Sequence, residues 1–183
     1  MEMFRNFRLS RGKLMMQKKQ ARLKRSRFKG NISKAKKIGI VWDASKTDEF
    51  AVLTQFHQKM AERNIDVHIL GYYPGKEIPD RITAIRYLTC LKPEDLNYFY
   101  RPVSAEATRF MNTPFDILFD TNFRNIFPLQ YISCLSAAGF KVGIFENEYD
   151  KSPFDFMIEM KPGNLNAFLT EAVRYLELIN TKT

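Results

Sequence analysis

Cysteine, histidine, glycine and long apolar runs are all scarce in this chain of 183 residues. The two cysteines, Cys90 and Cys134, lie far apart without CxxC spacing, which argues against a disulfide framework or a zinc site and is typical of reduced cytoplasmic thiols. No run of about 18 apolar residues occurs, so no membrane span is expected. The basic N-terminus is not followed by an apolar stretch, so no secretory signal is expected either.

Motifs of common catalytic and cofactor sites are missing as well. The eight glycines are scattered, and neither GxGxxG nor GxxxxGK[ST] is present, which disfavours dinucleotide and P-loop sites. The two imidazoles, His57 and His68, fall on a predicted helix face and inside a predicted strand, away from any triad-like grouping. We therefore predict no catalytic residue, metal or cofactor, and the sequence leans away from an enzyme.

Charge is abundant, and it is distributed very unevenly. Residues 1–37, called the arm below, hold 14 basic residues and one acidic residue, a net charge of +13. Residues 38–183 hold 15 basic and 19 acidic residues, a net charge of −4. A block of like charge beside a mildly acidic body is typical of an interaction segment. We expect the arm to be helical, because Lys, Arg, Gln, Leu, Met and Ala dominate it and Leu9, Met16 and Leu23 repeat every seven residues.

A basic helix with interspersed aromatic residues favours binding to RNA. Lys and Arg neutralise phosphates in a salt-dependent manner, and aromatic rings stack on unpaired bases. We expect structured RNA, ribosomal RNA foremost, with ribosomal proteins as neighbouring partners. The predicted RNA-binding residues are Phe4, Arg5, Phe7, Arg8, Arg11, Lys13, Lys18, Lys19, Arg22, Lys24, Arg25, Arg27, Phe28 and Lys29.

Other interpretations of the arm stay open. A helix lying on a membrane surface needs a broader apolar face than this stripe provides. A solvated tail without a partner fits the composition, and so does a mitochondrial presequence, although the density of lysine disfavours it.

The pattern of residues 38–183 predicts an α/β domain, and residues 30–36, the last part of the arm, are predicted to be a linker to it. Short apolar runs alternate with amphipathic segments, which indicates a three-layer, mostly parallel, doubly wound, Rossmann-like sheet. Predicted strands cover residues 37–42, 65–72, 85–91, 115–120, 140–146 and 154–160, and predicted helices cover residues 47–63, 104–111, 128–139 and a segment capped by Asn164. Ser45 and Asp48 resemble a capping box, and Gly139 is predicted to stop its helix.

Polar residues follow three of the predicted strands, at the edge where doubly wound sheets bind ligands. Asp43, Asp120 and Glu146 are carboxylates that could converge there on Mg²⁺ or a ribose, or could simply cap the helix that follows each strand. The full candidate pocket comprises Asp43, Ser45, Thr47, Asp120, Asn122, Arg124 and Glu146. The pocket supports an alternative function, a small Rossmann-like enzyme or a sensor of a nucleotide or another ligand.

Two blocks, PFDILFD at residues 114–120 and PLQYISCLSAAGFKVG at residues 128–143, resemble an uncharacterised family of small proteins from Bacteroidota. The DLNYF stretch at residues 95–99 and the basic arm are similar too. The resemblance implies a bacterial, cytoplasmic setting and offers no catalytic residue. The interpretation favoured by the sequence is a non-enzymatic, ribosome-associated RNA-binding protein whose oligomeric state is open.

Overall fold

A computed structural model describes residues 2–145 and 152–179 of the chain. The fold is α/β, with six parallel strands in the order β3-β2-β1-β4-β5-β6 flanked by helices. The strands are β1 (Lys37–Asp43), β2 (Asp66–Tyr72), β3 (Leu88–Leu91), β4 (Ile117–Asp120), β5 (Phe140–Ile144) and β6 (Phe156–Ile158). The helices are α1 (Glu2–Gln20), α2 (Phe50–Glu62), α3 (Asp80–Thr83), α4 (Ala105–Asn112), α5 (Phe127–Leu135) and α6 (Leu165–Leu178).

The central strands read as continuous apolar runs because both faces of the sheet are covered. In β1, Ile40 and Trp42 pack with α2 and α6 on one face, while Val41 packs with α4 and α5 on the other. The strand order reverses between β1 and β4, so the loops after these two strands flank the crevice where such sheets bind ligands. The predicted α/β architecture and its parallel sheet are confirmed.

Two local predictions are wrong, and one short helix was missed. Ser45 does not cap α2: its hydroxyl donates to Asp43 instead, and a 3₁₀ turn over Thr47–Glu49 precedes the helix. α5 ends at Leu135 rather than near Gly139, because Ser136 already has an extended backbone. The short helix α3 was not predicted, since Pro79 and Asp80 start it without an apolar repeat.

The arm packs against the α/β body along much of its length. α1 begins at Glu2 and ends at Gln20, earlier at both ends than residues 9–28, over which the composition favours a helix, and Met16 is buried against α5. In the predicted linker, Ile32 is completely buried in the core beneath α6. Residues 30–36 are therefore a packed connection, while the division of the chain at residue 37 stays a prediction.

Candidate functional site

α1 lies on the side of α5 that faces away from the sheet. Phe127, Tyr131 and Cys134 project from α5 at helical spacing and form a small core with Met16. Seven of the nine residues of α5 are buried, because the sheet covers one side of the helix and α1 covers the other. The arm is thereby held on the surface as a helix about 28 Å long.

A turn after β3 forms the second contact for α1. The side-chain oxygen of Asn97 accepts hydrogen bonds from the backbone N–H groups of Phe99 (3.0 Å) and Arg101 (3.1 Å), which fixes the turn. The guanidinium of Arg8 lies 4.3 Å from the ring centres of both Tyr98 and Tyr100, and its Nε donates to the carbonyl of Tyr98 (2.6 Å). This double cation–π contact anchors the first half of α1.

Asp155 holds the segment that follows α1. Arg25 makes a bidentate pair with Asp155 (3.0 and 2.9 Å), and Arg27 and the backbone N–H of Lys141 donate to the same carboxylate. Burial raises the pKa of Asp155, but the hydrogen bonds from Arg25 and from the Lys141 backbone outweigh it, so the pKa lies below its usual value. Phe28 then donates its backbone N–H to the carbonyl of Gly139 (3.2 Å).

Lys141 in β5 is a buried cation that sequence reasoning missed. It is 1% exposed, and its Nζ donates to the carbonyls of Ser133 (2.7 Å) and Cys134 (3.1 Å) in the last turn of α5. Burial, and to a smaller extent the nearby Arg25 guanidinium, lowers the pKa of Lys141 to about 7. The lysine caps α5 and ties it to the sheet, so it supports the surface on which α1 lies.

Much of the arm's charge faces solvent. Six arm cations are exposed, and their side chains make no hydrogen bond or ion pair with any residue the structure describes: Arg5, Lys13, Lys18, Arg22, Lys24 and Lys29. Arg11 lies over the ring of Phe7 (5.7 Å). By contrast, Lys19 donates to the hydroxyl of Tyr131 (3.2 Å), and Arg8 and Arg25 are held as described above. Intramolecular contacts thus leave a large cationic surface that has no acidic partners in residues 2–145 and 152–179.

Exposed apolar side chains lie within this cationic surface. Phe4 (67% exposed), Phe7 (54%) and Leu14 (41%) share one face of α1 with Arg11 and Lys18, at spacings of three and four residues. We call these five residues the outer stripe. Phe28 is in a different environment, because its ring packs half-buried against the core. Of the three predicted stacking residues, Phe4 and Phe7 are therefore the accessible ones.

At the carboxyl edge of the sheet, Asp43 is buried, and both oxygens of its carboxylate accept hydrogen bonds. Its carboxylate accepts hydrogen bonds from the backbone and hydroxyl of Ser45 (3.1 and 2.7 Å) and pairs with Arg124 through Nε (2.6 Å). Thr47 starts the 3₁₀ turn without a side-chain capping role. These contacts join the loops after β1 and β4 across the strand reversal.

Asp120 and Asn122 shape the loop after β4. Asp120 accepts the backbone N–H of Asn122 (2.8 Å), and the Asn122 amide exchanges two hydrogen bonds with the backbone of Ile126 before α5 begins. Cavities of about 150 and 130 Å³ border this loop. Glu146 lies outside the described residues, so the convergence of the three carboxylates stays a prediction.

Within residues 2–145 and 152–179, no group of three His, Cys, Asp or Glu side chains is placed to hold a metal ion. In the same ranges, no helix is long and apolar enough to cross a membrane. Burial raises the pKa of the Cys90 thiol to about 12, which leaves it unreactive as a nucleophile at neutral pH.

Sequence comparison supplies the family. No curated protein matches the chain. A model of a family of unknown function, DUF6913, matches residues 10–179, which include most of α1 and the whole described sheet. The chain therefore belongs to DUF6913, a family of unknown function.

Proposed function

We propose that the protein binds RNA through the exposed face of its arm, with the α/β body serving as the support that holds the arm in place. The observation that carries the proposal is the set of exposed arm cations without acidic partners among the described residues. Positive charges that are concentrated on one surface repel one another, and this repulsion destabilises the folded state. A bound polyanion neutralises the charges and removes the repulsion.

The outer stripe supports RNA over other polyanions. Phe4 and Phe7 lie one turn apart with Arg11 beside them, a spacing that offers two rings for stacking next to a phosphate contact. Docking of α1 on α5 and on the turn after β3 fixes these groups before binding, which lowers the conformational entropy lost in the complex.

Ribosomal RNA in the bacterial cytoplasm is the proposed target and setting, in line with the resemblance of the sequence to Bacteroidota proteins. The alternative proposal, a ligand site after β1 and β4, has weaker support. The carboxylate of Asp43 is already paired with Arg124, and the amide of Asn122 already bonds the backbone of Ile126.

Sedimentation of lysate from the native cells tests the proposal. We expect the protein to sediment with ribosomal particles at low salt and to be released by RNase or by high salt. A variant with Arg5, Arg11, Lys13 and Lys18 all changed to Gln, called the arm variant below, should remain at the top of the gradient. If the protein stays at the top of the gradient without RNase at low salt, the proposal fails.

A further inference from the structure

An open cleft of about 410 Å³ lies where the end of α1 and the residues after it meet α4 and α5. Its walls include Lys19, Leu23, Arg101, Met111, Asn112 and Tyr131. This volume lies within the range of about 300–1,000 Å³ that is typical of sites for small molecules. We propose that the cleft holds one unpaired nucleotide of an RNA chain that is bound along the arm, an inference that rests on the proposed function.

Arg101 is the first observation that points to a ligand. It belongs to the turn after β3, where its backbone N–H and C=O are bonded to Asn97. Its side chain is partly buried, the Nε atom is shielded from solvent without an acceptor, and the guanidinium has no ion pair or hydrogen bond among the described residues. A half-buried cation without a partner is costly, and an anion in the cleft would remove that cost.

Lys19 adds a second cation to the lining of the cleft. Its Nζ lies 3.2 Å from the hydroxyl of the buried Tyr131, and none of the residues that line the cleft carries a carboxylate. A phosphate in the cleft can therefore contact these cations without meeting a negative charge among the lining residues that the structure describes.

The remaining walls suit a base. Leu23, Val103 and Met111 supply apolar surface, while Asn112 and Thr108 supply an amide and a hydroxyl that can bond the edge of a base. The plane of the Arg101 guanidinium offers a stacking surface of a kind common in RNA recognition. A small inorganic anion would use the cations and leave the apolar walls empty.

The arm itself favours an RNA chain over a free nucleotide. Lys19 and Leu23 belong to the arm, and the exposed cations Lys18 and Arg22 lie next to them in the chain. An RNA strand whose phosphates follow these cations passes the mouth of the cleft, where a nucleotide that is not held in a duplex can turn inward.

The test uses the full chain carrying ¹³C-methyl methionine, in which the methyl group of Met111 reports on the cleft. Two RNAs with equal numbers of phosphates are compared, a hairpin with an oligouridine loop and a blunt duplex. We expect both RNAs to bind and only the hairpin to shift the Met111 signal. A hairpin that binds without moving this signal would overturn the cleft assignment and leave the proposed function standing.

Arg101→Gln removes a positive charge from the lining of the cleft. Arg109→Gln, the control, removes a positive charge outside the cleft. We expect Arg101→Gln to weaken hairpin binding about tenfold, the weight of one charge-assisted hydrogen bond, and to leave duplex binding nearly unchanged. The variant should fold as well as the parent, because the side chain that it replaces has no partner among the described residues. Equal effects of the two substitutions on hairpin binding would overturn the assignment.

Two further results would distinguish failure of the cleft assignment from failure of the proposed function. If uridine monophosphate alone saturates the Met111 shift with the affinity of the hairpin, the site belongs to a free nucleotide and the assignment to an RNA chain is overturned. If neither RNA binds at low salt, the proposed function fails and this inference fails with it.

Discussion

Gly12 in α1 lies directly against the carbonyl oxygen of Phe99 in the turn after β3. A Cβ atom at Gly12 would overlap that oxygen and would come within 2.9 Å of the ring of Phe127. The backbone oxygen cannot move aside, because the hydrogen bonds of Asn97 hold the turn. The one glycine in the helical part of the arm therefore marks a close approach of α1 to the body.

Gly12→Ala should destabilise the protein by about 1–3 kcal/mol, because the added methyl forces α1 away from the turn. In an exposed helix the same change would stabilise by about 1 kcal/mol. Denaturant unfolding followed by near-UV circular dichroism measures the change. Ser10→Ala, on the exposed side of α1, is the control and should be neutral or slightly stabilising. Stabilisation by both substitutions would contradict the close contact.

Asp155→Asn should destabilise by about 3–5 kcal/mol, because it leaves the partly buried guanidinium of Arg25 without its counter-ion. The side chains of this pair are only 12% and 13% exposed. The exposed pair Arg63–Glu177 (46% and 45%) is the matched comparison, and Glu177→Gln should cost less than about 1 kcal/mol. Equal unfolding free energies for the two variants would mean that Asp155 does not hold the arm.

Stability should rise with pH between about 7 and the ordinary lysine pKa, because the folded pKa of Lys141 lies at about 7. In this range the unfolded chain binds a proton at Lys141 that the folded chain does not, so raising the pH favours the folded state by about 1 kcal/mol per pH unit. Thermal unfolding between pH 7 and pH 9 measures the slope. Lys141→Met should flatten it, whereas the exposed Lys161→Met should not. An unchanged slope in Lys141→Met would show that another group titrates.

Removal of residues 1–37 should leave a cooperative fold of lower stability. All six strands lie in residues 37–183, but the deletion uncovers Phe127 and Tyr131 and takes the buried Ile32 out of the core. Loss of one large buried aliphatic side chain alone costs about 2–5 kcal/mol. Calorimetry of residues 38–183 checks the result. Broad, non-cooperative melting would place the arm inside the folding unit and contradict the boundary at residue 37.

The sheet was predictable from the sequence because its strands are local apolar runs such as KIGIVW and FDILFD. The docking of the arm could not be predicted, because each contact joins residues that are far apart in the chain. Arg25 and Asp155, for example, are separated by 130 positions. One signal was present: α5 (FPLQYISCL) is apolar on nearly every side, which indicates a helix covered from two directions. The partner that covers it cannot be identified from a stripe as thin as Leu9 and Met16.

In the candidate site, the sequence identified residue types better than their roles. Asp43 and Asp120 lie at the predicted edge of the sheet, but their geometry depends on loop contacts that no motif encodes. Lys141 interrupts an apolar strand, which indicates that its charge has a specific partner. The sequence does not show that this partner is a pair of carbonyl groups in α5. Arg101 gives no signal at all, because only the folded turn shows that its side chain lacks an acceptor.

The salt dependence of RNA binding tests the central claim most directly. The arm variant is compared with a body variant in which Lys59, Lys76, Arg86 and Lys161, all exposed, are changed to Gln, so that both have the same net charge. Gln keeps the helix propensity of Lys and Arg, so α1 should stay folded. Affinity for one structured RNA is measured across a series of salt concentrations. We predict a slope of log K against log salt that is shallower by about 3 in the arm variant and unchanged in the body variant. Equal slopes in the parent and both variants would contradict the claim that the arm is the RNA-binding surface.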